Sequence, residues 1–207
     1  NGGVVNHWHN LQGMPNKLLP GGQVFGSLGE RDTRYGWQDQ KNLVQVDWDG
    51  QIIWQFDHNE YIEDPDNAPQ WMARQHHDFQ REGNPVGYYV PGMSCQTDGG
   101  HTLILCHQDV CVPVWQWSVH EHFAELGFDE IAKNALARNP NFVSIGKGDW
   151  MHINCMSVLG PNKWFDAGDE RFAPDNIIWD ARQTNIIAII SKKTGEIVWK
   201  LGPDYTT

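Results

Sequence analysis

Two distant stretches of this chain follow one pattern, and that pattern narrows the folds open to it. Val46-Asp47-Trp48-Asp49-Gly50-Gln51-Ile52-Ile53-Trp54-Gln55-Phe56 and Ile190-Ser191-Lys192-Lys193-Thr194-Gly195-Glu196-Ile197-Val198-Trp199-Lys200-Leu201 each read as strand, polar turn closed by glycine, second strand. The Asp49-Gly50 and Thr194-Gly195 steps supply the positive φ that a tight hairpin needs. Gly3-Val4-Val5-Asn6-His7-Trp8 is the back half of the same unit, and Val112-Pro113-Val114-Trp115-Gln116-Trp117 is a further copy without the glycine turn.

A second element follows each Trp hairpin: Met14 to Gly26 after Trp8, Gln75 to Tyr89 after Trp54, and Gly148 to Leu159 after Trp115, which Asn176 to Asp180 completes. About four strands therefore recur at a spacing of very roughly 45 to 85 residues, the size of a propeller blade with inserted loops. The 11 Trp and 21 Gly fit large side chains wedged between sheets joined by tight turns. The expected fold is all-β, a β-propeller, in preference to an irregular sandwich that contains two similar hairpins. At 207 residues the chain is expected to be a single domain over 1–207.

The regular pattern is interrupted three times. His120 to Ala137 places Phe123, Leu126, Ile131, Ala132 and Leu136 near one helical face, which predicts a short helical insertion near 120–137 ended by Asn139-Pro140-Asn141. Asp57 to Asn67 reads as an acidic surface loop, and Asn162 to Pro174 as a polar insertion in which Trp164 and Phe165 cap something. The formal charge of −11 argues against nucleic-acid or anionic-membrane partners. The apolar runs are too short to span a bilayer. No signal peptide is visible, and the opening Asn1 to Val5 reads as an internal start, a turn entering a strand. Of Cys95, Cys106, Cys111 and Cys155, the pair Cys106 and Cys111 could bridge neighbouring strands, and buried free thiols are an equal alternative. No zinc pattern occurs among them.

Chemistry concentrates in the strands after the Trp hairpins. In Gly148 to Leu159, His152 and Asn154 stand two apart on an otherwise apolar strand, so an unbroken strand projects both from one face. Aligned by its turn, His76-His77-Asp78 matches His152-Ile153-Asn154, which pairs His76 with His152 and Asp78 with Asn154. In a propeller the first strand of every blade lines the central axis, so these groups converge. Two imidazoles with short polar neighbours make an acid–base or nucleophilic centre. Arg182, just after an apolar run, is either a surface partner of Asp180 or an anion clamp whose fork matches a tetrahedral oxyanion. The two remaining His-x-His steps, His7 with His9 and His120 with His122, can chelate metal on a strand, but the spacing offers no third ligand. Neither usual glycine-rich nucleotide loop is present. No cofactor or resident metal is expected.

The His152-x-Asn154 step, the run Phe172 to Gln183, the hairpin Ile189 to Gly202, the His76-His77-Asp78 element, and Val114-Trp115-Gln116-Trp117 with its following helix together resemble the bacterial arylsulfotransferase family over nearly the whole chain. The resemblance implies a six-bladed propeller, of which this chain is about half. It also implies nucleotide-independent transfer of a sulfuryl group from a phenolic sulfate ester to a phenol through a sulfo-histidine, in the periplasm or outside the cell. By position His152, Asn154, Arg182 and His76 look like active-site residues, with His77, Asp78 and Trp150 as substrate contacts. The family's nucleophile follows its last Trp hairpin. That strand is expected beyond the eight residues after Trp199, from a C-terminal segment or a second chain. A homo-oligomer is compatible with this reading. Two further readings fit the same fold: a lyase or oxidase using His-bound metal on an aromatic compound, and a non-catalytic propeller that binds partners.

Overall fold

Both repeat hairpins form as their turn chemistry requires. In the first, Asp47 N–H donates to Gln51 O at 3.0 Å and Gly50 N–H to Asp47 O at 3.1 Å. The Asp47 carboxylate also accepts from Asp49 N and Gln51 N. Gly50 takes φ +82 and Gly195 φ +77, a region that costs a residue with a Cβ. In the second, Gly195 N–H reaches Ser191 O at 2.8 Å and Ser191 N–H reaches Glu196 O at 2.9 Å. Each hairpin carries a register shift beside its turn, between Gln45 and Val46 and between Ile189 and Ile190. This is the bulge expected where an αL glycine closes a loop.

The computed structural model describes residues 2–12, 16–29, 42–56, 59–62, 70–73, 89–94, 102–107, 113–137, 151 and 153–203. They are mostly antiparallel β-sheet. Strands β1 (Lys17–Leu19), β2 (Gln23–Gly26), β3 (Leu43–Val46) and β4 (Ile52–Phe56) form one four-stranded sheet in chain order. β10 (Ile153–Val158), β11 (Ile177–Ala181), β12 (Ile186–Ile190) and β13 (Ile197–Leu201) form another in the same order. Between them lie a three-stranded sheet, β7 (Tyr89–Ser94), β8 (Thr102–His107) and β9 (Pro113–Ser118), and a pair, β5 (Asn59–Ile62) with β6 (Gln70–Ala73). The all-β expectation holds. Among the described residues every sheet is open.

The main core lies where β9 and the segment after it pack on the last sheet. Trp117, Val119, Leu126 and Phe128 join Met151, Ile153, Met156, Ile177, Trp179, Ala181, Ile186, Ala188 and Ile190. Trp179 is 1% exposed and its ring centroid is 5.6 Å from that of Trp117. Hydrogen bonds stitch the same joint. Trp117 donates Nε1–H to Gly195 O at 2.8 Å, Ile197 N–H donates to Glu125 Oε2 at 2.8 Å, and Lys200 Nζ donates to Leu126 O at 2.9 Å. At the other end of the chain Trp8 donates Nε1–H to Asp47 O at 2.8 Å. Trp117 stands two residues past the repeat position of Trp8, which Trp115 holds, yet both Trp8 and Trp117 dock on the hairpin turn of a following sheet.

Four expectations need correcting. The helical insertion near 120–137 is not one helix. A 3-10 turn covers Val119–His122, and α1 runs only over Glu130–Ala137. Gly127, at φ +82, breaks the chain between them, and Leu126 and Phe128 turn into the core. Asp129 starts α1 by accepting from Ala132 N at 2.7 Å. Ile131, expected on the buried face, is 72% exposed. The acidic stretch after Phe56 is not simply a loop, since β5 pairs with β6 across it. Val4 to Trp8, expected as a strand, belongs to no sheet; Val4 and Val5 are 86% and 88% exposed. Among the described residues no strand pairs with its backbone, as a strand would require. Trp164, expected to cap something, is 53% exposed.

Around Trp164 the 160s insertion is held by its own polar groups. Asn162 accepts from Trp164 N and Phe165 N to start α2 (Lys163–Asp166), and donates to Gly160 O and Phe172 O. Arg171 donates Nε–H and Nη2–H to the two oxygens of Asp169, at 2.9 and 2.7 Å. The Arg171 guanidinium holds the Asp169 carboxyl below the usual carboxylate range.

Two measurements check this account. Trp179→Ala should cost about 3–5 kcal/mol in urea unfolding, while Trp117→Phe, which keeps most of the apolar surface but orphans a carbonyl, should cost about 1–3 kcal/mol. A smaller loss for Trp179→Ala than for Trp117→Phe would contradict the assigned core. Because the Asp169 value is lowered on folding, its contribution is present above the ordinary Asp range and lost as pH falls through the folded value. The stability gap between wild type and Asp169→Asn should therefore be constant near neutral pH and narrow as pH falls below about 5 and through the folded value.

Candidate functional site

Two residues of the expected site fall within the described structure, and both sit at one corner of the last sheet. Asn154 lies near the start of β10 and Arg182 directly follows β11. The strands are antiparallel, and Ile153 pairs with Ala181, so the residue after Ile153 and the residue after Ala181 belong to the same end of the ladder. The backbone contact continues past the strand ends, with Gln183 N–H donating to Met151 O at 3.2 Å. His152, His76, His77, Asp78 and Trp150 lie outside the described residues. The convergence of His76 with His152 is therefore still an expectation.

Asn154 occupies a bulge. The register passes from Ile153 opposite Ala181 to Cys155 opposite Asp180, which leaves Asn154 as the extra residue. Ile153 and Met156 are 0% and 1% exposed although they stand three apart. The unbroken alternation expected through this strand is thus corrected at Asn154. A bulge re-aims one side chain without ending the strand, which is why bulges recur beside sites. Asn154 is half-buried.

Arg182 opens the turn between β11 and β12. Thr184 is buried beneath that turn and its hydroxyl lies 3.4 Å from Met151 Sδ. Asn185 takes φ +52, the left-handed conformation an asparagine tolerates. The turn is anchored while the Arg182 side chain is exposed. Among the described residues no carboxylate forms an ion pair with it, Asp180 included. Of its two readings, the surface pair with Asp180 is absent. What stands, among the described residues, is a guanidinium with no ion pair at the same end of the ladder as a half-buried amide, both groups able to donate hydrogen bonds to an anion.

Trp179, on β11 two residues before Ala181, has a fully buried Nε1–H with no hydrogen-bond partner. A buried donor of this kind costs about 1–3 kcal/mol relative to a satisfied one.

Other candidate groups separate by the same geometry. His122 is engaged in the fold: its Nδ1 is 2.6 Å from Glu125 Oε1, and its ring stacks on Trp117 at 4.5 Å with the planes 18° apart. Glu125 in turn accepts from Ile197. Sequence reasoning missed this joint. Its only sign was a His and a Glu three apart after a Trp strand. Cys155 is exposed and in no disulfide; the Cys106–Cys111 bridge falls on residues of which one is outside the described structure. Among the described residues no three His, Cys, Asp or Glu side chains group as metal ligands, and no helix is long and apolar enough to cross a membrane.

No protein-family model matches the chain, and none of the curated proteins compared with it is a match.

An exposed arginine with no ion pair should carry little stability. Arg182→Ala is expected to change the unfolding free energy by no more than about 0.5 kcal/mol. A loss several times larger would mean that Arg182 serves the fold rather than a ligand.

Proposed function

We propose that this chain is part of a β-propeller enzyme that transfers a sulfuryl group between phenolic oxygens. Arg182 and Asn154 would hold the sulfuryl oxygens, with His152 and His76 as the acid–base or nucleophilic imidazoles. His77, Asp78 and Trp150 would contact the aromatic substrate. The observation that carries the reading is the β10–β11 corner, where an anchored turn presents a guanidinium with no ion pair among the described residues, at the same end of the ladder as a bulged asparagine. A guanidinium fork and an amide N–H suit the equatorial oxygens of a sulfuryl group in flight, whose charge grows on its oxygens.

The propeller part of the proposal is supported by two four-stranded meanders in chain order, each with a bulged glycine hairpin between its last two strands. The docking of Trp8 and of Trp117 on a following sheet's turn adds to it. The ring would have six such sheets and would be completed by a C-terminal segment or a second chain. That segment would also bring the remaining histidine. The substrates would be small phenols and their sulfate esters, and the location periplasmic or extracellular.

The test is a chromogenic aryl sulfate with a phenol acceptor, using the complete protein. Turnover should fall by about 10²–10³ in Arg182→Ala, a loss typical of removing one preorganised charge-stabilising donor. It should disappear in His152→Ala. Turnover unchanged in His152→Ala sinks the mechanism. No turnover with a stoichiometric transition metal favours a metal-dependent lyase or oxidase on the same fold. No turnover and no metal favours a binding module.

A further inference from the structure

The segment before β1 has two faces, and they do different things. Asn6, Trp8 and Asn10 point at the β3–β4 turn: Asn6 donates to Trp48 O at 2.7 Å, Trp8 to Asp47 O at 2.8 Å and Asn10 to Gly50 O at 3.0 Å. Trp8 also meets Trp48 edge-on, with ring centroids 5.6 Å apart. The chain turns at His9 and Asn10, with Leu11 N–H donating to Trp8 O at 3.3 Å. The residues between them, His7 and His9, are both exposed. Their ring centroids are 4.1 Å apart, with planes inclined by 45°.

We propose that His7 and His9 form an open two-imidazole chelate for a transition-metal ion of tetragonal preference, Cu(II) or Ni(II). The metric argument is simple. Metal–nitrogen bonds of about 2.0–2.1 Å at a right angle put the two ring centroids about 4.5 Å apart, and a tetrahedral angle puts them about 5.2 Å apart. The separation of 4.1 Å is nearer the first. Imidazole nitrogen is the donor that copper and nickel take readily. Preorganisation comes from the opposite face, where three side-chain hydrogen bonds to one turn hold the backbone of both histidines. His7 N–H is itself fixed on Asn6 Oδ1 at 2.7 Å. The chain's charge of −11 favours a cation at its surface. With two protein ligands the remaining positions belong to water or to another molecule, so this is a binding site with vacant coordination and not a closed structural one. It is independent of the proposed sulfuryl site.

The experiment uses the complete protein without a polyhistidine tag, titrated calorimetrically with Cu(II), Ni(II) and Zn(II), with copper electron paramagnetic resonance on the first equivalent. Wild type should bind one more equivalent of Cu(II) than His7→Ala/His9→Ala, with two imidazole nitrogens in the copper spectrum. Each single alanine variant should weaken that equivalent by about tenfold or more, through loss of chelation. Both side chains are exposed, so the variants should keep the wild-type circular dichroism and melting temperature. His122→Ala, which alters an imidazole used in the fold, should leave the equivalent in place. Equal copper stoichiometry and affinity in wild type and the double variant would overturn the proposal. Zn(II) binding as tightly as Cu(II) at this pair would overturn its tetragonal assignment.

Discussion

The indole N–H of a tryptophan, donated to a carbonyl in a following sheet's hairpin turn, is the contact on which the rest of the structure depends. It occurs twice with the same length, Trp8 to Asp47 O and Trp117 to Gly195 O, both at 2.8 Å. One such bond is worth only about 0.5–1.5 kcal/mol net. Its effect is larger than that because it is directional and comes with a large ring. A tryptophan buried for its apolar area alone could slide, but one that must also reach a single carbonyl fixes where the following sheet begins. At the second joint the ring is sandwiched between His122 and the Trp179 side of the core. Glu125 and Lys200 then add bonds to β13 and from it. The main core is therefore shared between two sheets rather than enclosed by either.

Glycine turns make that contact repeatable. Gly50 and Gly195 each close their turn with positive φ, and each hairpin carries a bulge on the same side of its turn. The bulge adds twist beside each turn. Where the same segment meets the turn before a sheet exists, as at Asn6 to Asn10, the polar face is used up by the turn and the opposite face is left to solvent.

The corner that holds Asn154 and Arg182 depends on the same sheet in a different way. β10 and β11 bring the start of one strand to the end of the other, so residues 28 apart in sequence become neighbours in the ladder. The bulge at Asn154 and the left-handed Asn185 in the following turn are local departures from regular structure, and both lie at this end of the sheet. Departures of that kind persist only when their surroundings hold them. Buried Thr184, Met151 and Ile153 do so here.

Much of the fold was legible in the residues. The Gly-closed turn followed by Ile-(Ile/Val)-Trp specifies a hairpin wherever it occurs, because positive φ and alternating apolar side chains are local requirements. All-β architecture and the chain-order meanders follow from repeating it. Charge and apolar run length were legible too, being sums over residues. Local rules failed where a neighbour in space decided the outcome. The 120–137 stretch has a helical period throughout, yet Gly127 breaks it so that Leu126 and Phe128 can enter the core beside Trp179. Asn154 reads as an ordinary strand residue, and only its pairing with β11 reveals the bulge. Val4 to Trp8 has a strand's sequence without a strand's partner. Arg182 could be read either as a surface ion pair or as an anion clamp, and among the described residues it forms no ion pair. Periodicity and turn type belong to the chain itself and so can be read from it, whereas burial, register and the meeting of His7 with His9 belong to contacts between segments, which only the tertiary structure contains.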